Sequence, residues 1–435
     1  MGFKKTIPLN EFITLQRGFD LPKDERIAGN VPVIASTGIG GYHNETKVNA
    51  PGVVIGRSGS IGGGQYITVD FWPLNTTLWV KDFKGHHPRY VYYLLKSIDF
   101  SQFNVGSGVP TLNRNHLSGV LVANTSYKYE KKIADIIGSL DDRIEFNKKI
   151  NQTLEQMAQA LFKSWFVDFD PVIDNALEAG NPIPASFQER AELRQKVRKS
   201  ADFKPLSTKI RVLFPAEFEE TELGWVPKGW KISTVGEELV VKGGSTPSTT
   251  NPDFWDNGII HWTSPKDLTG NNSKILLDTS KKITDAGLKK ISSGLLPLDT
   301  VLMSSRAPIG YLALAKIPLA INQGYIAIPS SRTLTPEYII YWLENIMDEI
   351  KGMAGGTTFA EISKTTFKTI KLLVPTQQLT NEYTKIIKAN FEQIASNLKQ
   401  TNTLTQLRDT LLPKLISGEL SLDDLPEAIN EAKAA

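Results

Sequence analysis

Apolar positions along the chain fall into patterns that each occur twice. Residues 129–166 carry Ile133, Ile137, Leu140, Ile144, Leu154, Leu161 and Trp165 at alternating steps of three and four, with Asn147, Asn151 and Ala158 in the intervening places. That spacing predicts a long helix with a heptad seam. Residues 378–416 repeat it 250 positions later, at Tyr383, Ile387, Asn390, Ile394, Leu404, Leu411 and Leu415, with Asn397, Thr401 and Arg408 between them. The segments before the two helices also match, in blocks. PRYVYYLL at 88–95 lies over PEYIIYWL at 336–343, aligning Pro88, Tyr90, Tyr93 and Leu95 with Pro336, Tyr338, Tyr341 and Leu343. VVIGRSGSIG at 53–62 parallels VLMSSRAPIG at 301–310, and PLNTTLWV, with Asn75, parallels AINQGYIAI, with Asn322. Downstream, Leu112, Leu117, Val120 and Val122 match Ile362, Phe367, Ile370 and Leu372. One-residue slips separate the blocks. The chain therefore reads as one unit duplicated, each copy a globular domain followed by a long helix.

A seam of this length has to be covered. Two covers compete: each helix packs on its own domain, or the helices pair antiparallel. The polar group Asn147, Asn151, Asn397 and Thr401 in the middle of both seams favours a pair, since buried polar residues fix register at a cost in stability. The shared seam is expected at Ile137, Leu140, Ile144, Leu154 and Leu161 of the first helix and Ile387, Ile394, Leu404 and Leu411 of the second, with Leu154 and Leu404 as a crosslinking pair. Phe162, Trp165 and Phe166, with Leu411, Leu412 and Ile416, end the two helices and divide between core and a docking surface. Trp165 and Phe166 cannot both face a partner helix. Between the copies, Pro171, Pro182, Pro184, Pro205, Pro215 and the mixed-charge run QERAELRQKVRK mark a connector, in which Gln188 to Lys199 forms either a short helix or a solvated face. The expected division is a first domain at 1–127, a helix at 128–167, a connector at 168–227, a second domain at 228–376, a helix at 377–420 and a tail at 421–435. The expected fold is mixed α/β, two globular domains plus two long antiparallel coiled-coil-like helices in a pseudo-two-fold repeat.

Composition narrows the chemistry. With 435 residues and no cysteine, the chain has room for several cores and no means to make a disulfide, a thiolate metal site or a cysteine nucleophile, which fits a reducing cytoplasm. No apolar run is long enough to span a membrane. A net charge of +3 permits DNA binding without arguing for it. The histidines His43, His86, His87, His116 and His261 are scattered, with no zinc-hydrolase spacing. There is no Walker loop, serine elbow or dinucleotide fingerprint. GRSGSIGGG at 56–64 lacks the Lys-Ser/Thr ending of a phosphate loop and reads as a tight turn. Asn251-Pro-Asp-Phe254 is one proline short of the Asn-Pro-Pro-aromatic tetrapeptide of adenine methyltransferases and reads as an Asn-Pro turn. No catalytic constellation or metal site is expected.

Particular strings then resemble a known family. GGSTPSTTNPDFWDNGIIHWTSPKDL at 243–268, led in by LGWVPKGWKISTVGE at 223–237, is similar to the opening of a target-recognition domain in the specificity subunits of type I restriction-modification systems. GFDLPKDERIAGNVPVIASTGIGGYHNE at 18–45 resembles another form of that opening. IIGSLDDRIEFNKKINQTLEQMAQALFKSWFVDFDPV in the middle and LRDTLLPKLISGEL near the end resemble the family's helices, so nearly the whole chain is covered. The resemblance implies a non-catalytic subunit in which each domain reads one half of an asymmetric bipartite target on double-stranded DNA, with the helix pair setting the gap. It also implies two modification (methyltransferase) subunits bringing S-adenosylmethionine, and restriction (translocase and nuclease) subunits using ATP and magnesium; no cofactor is expected on this chain itself. A stand-alone DNA-binding protein that has lost its enzyme partners is the competing reading.

Residue chemistry supplies the candidate DNA contacts, since Arg reads guanine, Asn or Gln reads adenine, and Lys holds phosphate. They are Arg57, Asn75, Lys84, Arg114, Asn115 and His116 in the first copy and Lys266, Arg306, Asn322, Gln323 and Lys364 in the second. Arg57 and Arg306 sit in matching places before an Ile-Gly, and Asn75 corresponds to Asn322, so a shared structural role competes with base contact at these four. Positions that differ between the copies are the better candidates for specificity.

Overall fold

The computed structural model describes residues 5–106, 108–201, 203–270, 273–356 and 360–426. Residues 427–435 of the expected tail and 1–4 of the first domain lie outside the described residues. The chain forms two compact units, one drawn from residues up to Asn147 and from Gln400 onward, the other from Lys148–Lys399.

In the first unit a four-stranded antiparallel sheet runs in the order Thr14–Arg17, Thr77–Asp82, Gly52–Gly56, Gly62–Ile67. The interior strand GVVIG is buried at every position, as a continuous apolar run should be. A three-stranded sheet follows the order Gly38–His43, Val31–Ala35, Trp72–Pro73, its last pairing parallel. Lys5–Pro8 pairs with Leu121–Asn124. The helix Pro88–Ser97 opens with proline at its first turn, where the missing N–H costs nothing, and buries Tyr90, Val91, Tyr93, Leu94 and Leu95.

The second unit has the same topology. Its sheet runs Leu239–Lys242, Tyr325–Ser331, Val301–Ser304, Leu312–Ala315, with one additional parallel strand, Ile275–Leu276, at the edge. The smaller sheet is Lys281–Ile283, Ile260–Thr263, Ala320–Ile321, and Lys231–Thr234 pairs with Lys371–Val374. The helix Pro336–Asn345 stands where Pro88–Ser97 stands in the first unit.

The long helices are Tyr127–Phe166 and Gln377–Ser417, and each contributes one end to each unit. Within the first unit the Asn147 amide donates to Gln400 Oε1 at 2.8 Å and to Thr401 Oγ1 at 3.4 Å, and Arg408 pairs with Asp141 at 2.7 Å. Within the second, Asn397 donates to Asn151 at 2.8 Å and Asn390 to the Leu154 carbonyl at 3.4 Å. Residue numbers rise on one helix as they fall on the other, so the pairing is antiparallel. The Asn147–Thr401 and Asn397–Asn151 bonds are one contact made twice with roles exchanged. The two covers proposed for the seam are both used: Ile133 and Ile137 share a core with Leu9, Val53 and Tyr90 of their own domain as well as with Leu411 and Leu415 of the other helix.

Three expectations need correcting. Leu154 and Leu404 do not oppose each other, because antiparallel pairing separates equivalent positions; Leu154 stands opposite Asn390, and Leu404 lies fourteen residues further on, ~21 Å along a helix. Phe162, Trp165, Phe166, Leu411, Leu412 and Ile416 are all buried, so they are core rather than docking surface. Phe166 faces the domain, its ring 4.9 Å from Tyr338, and Trp165 meets Phe214 at 5.1 Å. The stretch expected as connector is folded into the second unit, where Phe169, Val172 and Phe214 join its main core. Gln188–Arg198 is a helix, and it bonds to the helix Asp170–Ala179 through a ladder of ion pairs: Arg190 forks onto Asp170 with both bonds at 2.7 Å, Arg194 onto Asp174, and Arg198 reaches Glu178 at 3.2 Å.

Candidate nucleic-acid interface

Each domain gathers the same loops on one side. In the first, the turn after Thr14–Arg17 approaches the loop at 73–76 so closely that a Cβ on Gly18 would stand 2.1 Å from the Leu74 carbonyl oxygen. Only glycine permits this. The Phe19 amide donates to the Pro73 carbonyl at 2.8 Å, the Arg57 amide to Thr76 at 2.8 Å, and the Leu112 amide to Arg57 at 2.8 Å. The second domain repeats the frame. A Cβ on Gly244 would stand 1.8 Å from the Ile321 oxygen, the Ser245 amide donates to Ile321 at 3.1 Å, Ser305 to Gly324 at 2.8 Å, and Ile362 to Ser305 at 3.1 Å.

These bonds fix the correspondence and shift it by one residue from the sequence reading. Arg57 is equivalent to Ser305, and Arg306 to Ser58, whose bridges to Glu361 and Thr111 also match. Asn75 is equivalent to Gln323, and Asn322 to Leu74. Arg57 and Arg306 are therefore not a shared pair, and neither are Asn75 and Asn322. Arg114 and Lys364 are equivalent: each is the first residue of a short helix, Arg114–Leu117 or Lys364–Lys368, after a capping Asn113 or Ser363.

The candidates separate by what already holds them. Lys84, with φ of 48°, donates its ammonium to the Asn10 carbonyl and its amide to Asp82 at 2.8 Å. Arg57 donates to the Asn75 carbonyl at 3.2 Å, and the Asn75 amide donates to Asp20. Arg306 pairs with Glu361 at 3.6 Å; Asn322 accepts from the Gly324 amide at 2.8 Å and Gln323 from Thr246 at 2.7 Å. Arg114, Asn115, His116, Lys266 and Lys364 are exposed. A cleft of about 710 Å³ in the first unit brings together Arg17, Asp20, Arg57 and Arg114 over a floor of Phe19, Leu78 and Leu112. Lys84, Asn115 and His116 do not line it. Arg17 was not among the sequence candidates; its position directly before the glycine of the close turn was the available signal.

Neighbouring loops are held by ordinary means. Burial alone would raise the Asp267 carboxyl, but hydrogen bonds from the Ser264 amide at 2.8 Å and the Ser280 amide at 2.9 Å, with one from Thr263, outweigh it and hold the group below its usual range. The carboxylate thereby anchors the turn that presents Lys266. Asn251 caps its turn by accepting from the Asp253 amide at 3.0 Å. The stretch 56–64 is a turn only at 57–61, where Gly59 takes positive φ; Gly56 ends one strand and Gly62, Gly63 and Gly64 begin the next. Among the described residues no group of three His, Asp or Glu side chains is placed to hold a metal ion, and no helix is long and apolar enough to cross a membrane.

Residues 3–156 and 227–406 each match the model of the type I restriction modification DNA specificity domain. The chain belongs to this family. The match falls twice, once on each of the two like-folded domains and into the helix that follows it. Among relatives of this specificity-domain family, the specificity subunit of the type I restriction enzyme HindI from Haemophilus influenzae is 28% identical over 359 residues, 77% of each chain. The MjaIX specificity subunit of Methanocaldococcus jannaschii is 32% identical over 199 residues, 45% of this chain and 46% of that one. The crystal structure of the type I restriction-modification S subunit from M. genitalium shares the fold, with a TM-score of 0.60 over 95% of this chain and 96% of the other at 16% identity.

Proposed function

We propose that this protein is the DNA specificity subunit of a type I restriction-modification complex, with each domain reading one half of an asymmetric, bipartite target and the helices setting the gap. The observation that carries this reading is the double family match on two domains of one topology whose exposed polar residues differ at equivalent positions. Two readers with different side chains on one chain specify a non-palindromic site. The chain supplies addresses, not chemistry. Two modification subunits bind along the helices and bring S-adenosylmethionine, restriction subunits with ATP and magnesium join them, and the complex works on DNA in the cytoplasm.

Methylation profiling of a strain carrying the cognate modification subunit, with and without this gene, tests the reading. N6-methyladenine at one asymmetric two-part motif, present only with the gene, is the expected result. Stable expression and assembly without any motif would overturn it.

A further inference from the structure

The equivalent positions Arg114 and Lys364 sit in unlike surroundings. In the first unit, Arg114 stands on the rim of the cleft beside Arg17 and Arg57. Those two are engaged, Arg57 with the Asn75 carbonyl at 3.2 Å and Arg17 with Asp20 at 3.7 Å. Among the described residues the exposed Arg114 guanidinium has no hydrogen-bond or ion-pair partner. It is presented by a helix turn whose Leu117 is fully buried, so its backbone is fixed while its fork is unspent. In the second unit the counterpart of Arg17 is Gly243, and Lys364 Nζ lies 2.8 Å from the point where a Cβ on Gly243 would stand. Lys364 thus folds over a bare backbone where the first unit has a second arginine. The counterpart of Arg57 is Ser305, buried and with no charge.

Arginine and lysine differ in what they recognise at such a place. The guanidinium offers parallel donors that match the O6 and N7 acceptors of guanine, whereas the ammonium is a point charge suited to phosphate. We propose that this shared position determines specificity differently in the two units: Arg114 reads a guanine in one half-site, supported by Arg17 and Arg57, while Lys364 holds the backbone without base preference in the other. The inference rests on the reading of both domains as DNA readers.

The test uses the full chain assembled with its modification subunit, and fluorescence anisotropy on duplexes carrying the methylated motif or single-base replacements of it. Arg114→Lys is expected to lower discrimination at one guanine position of one half-site by about 5- to 150-fold, leaving every other position as in the parent. Lys364→Gln is expected to keep all base preferences, weaken binding uniformly and reduce the slope of log affinity against log salt by about 1. Unchanged discrimination at every guanine in Arg114→Lys and Arg114→Gln overturns the assignment while the functional reading stands. Equal loss of binding to all duplexes, in an Arg114→Gln complex that unfolds at the parental temperature, overturns it too, by marking Arg114 as a backbone-holding cation. A parent complex with no sequence preference removes the functional reading itself, and this assignment with it.

Discussion

The two units hold their domains to the long helices by different chemistry. In the second, the helix end Phe162, Trp165, Phe166 enters a cluster with Tyr338, Tyr383, Trp230 and Phe214, in which Phe162 and Tyr338 stand 5.2 Å apart and Phe166 and Tyr383 meet at 5.2 Å and 88°. In the first, an apolar core around Ile133 and Ile137 is joined by a polar grip. Arg89 forks onto Asp142 at 2.9 and 2.5 Å and reaches the Gly138 carbonyl at 3.1 Å; Tyr93 donates to Asp141 at 2.9 Å, and the buried Glu130 carboxylate accepts from the His87 amide at 2.8 Å and contacts His86 at 2.6 Å. An aromatic cluster gains from area and tolerates adjustment, whereas a fork of charged hydrogen bonds fixes an angle. The second joint has a polar contact too, Lys274 to Glu155 at 2.5 Å, so the duplicated fold keeps its topology while shifting the balance of forces at its joints.

The largest effect expected on this contrast is at Trp165, whose fully buried ring touches both the helix and the domain. Trp165→Ala should cost about 3–5 kcal/mol. Hydrogen exchange should place the loss in residues 148–399 and leave amides of the first unit at their parental protection. Next comes Gly138, a glycine inside a helix, against which the Arg89 guanidinium lies so closely that a Cβ would stand 2.5 Å from Cζ. Gly→Ala in a helix interior ordinarily stabilises by ~1 kcal/mol. Here Gly138→Ala should give almost no gain, because it dislodges Arg89, and should recover the ~1 kcal/mol only when combined with Arg89→Ala, in a double-mutant cycle read by urea unfolding. The smallest effect is on acidification. The hydrogen bond from Arg89 holds the Asp142 carboxyl below its usual range. A depressed carboxyl contributes stability that is present above its unfolded value of about 3.9 and is lost as pH falls through the lower folded value. Protection of amides at 133–147 should therefore drop below about pH 4, while those at 158–166 do not follow.

How far these differences were legible in the sequence depends on their range. The repeat, the long helices and the polar middle of the seam stand out because they are periodic or local, and Asn147 and Asn397 do make the cross-helix bonds their position suggested. Arg57 and Arg306 invite pairing by residue type, but the match of 53–62 to 301–310 sets Arg57 over Ser305 and Ser58 over Arg306, as do the hydrogen bonds to Thr76 and Gly324. The ladder of Arg190, Arg194 and Arg198 onto Asp170, Asp174 and Glu178 was invisible because its partners are twenty residues apart, beyond any helical period, in a stretch that reads as charged and proline-broken. Lys84 looked free because its partner, the Asn10 carbonyl, is a backbone group that leaves no trace in residue type. At the candidate interface, the match of Leu112 and Leu117 to Ile362 and Phe367 already sets Arg114 over Lys364, and the caps Asn113 and Ser363 agree with it; what the sequence hides is their unlike surroundings.

The division of the helices between the units also sets an order of events during synthesis. The second unit is continuous in sequence, so all its core residues have left the ribosome once Lys399 is exposed. The first cannot close then, although its domain is made earliest: its core needs Leu407, Leu411, Leu412, Leu415, Ile416 and Leu425. Domains usually complete themselves from the N-terminus onward. Here the first domain waits with Ile133 and Ile137 only partly covered until the second has been made, an interval in which apolar surface stays open to chaperones.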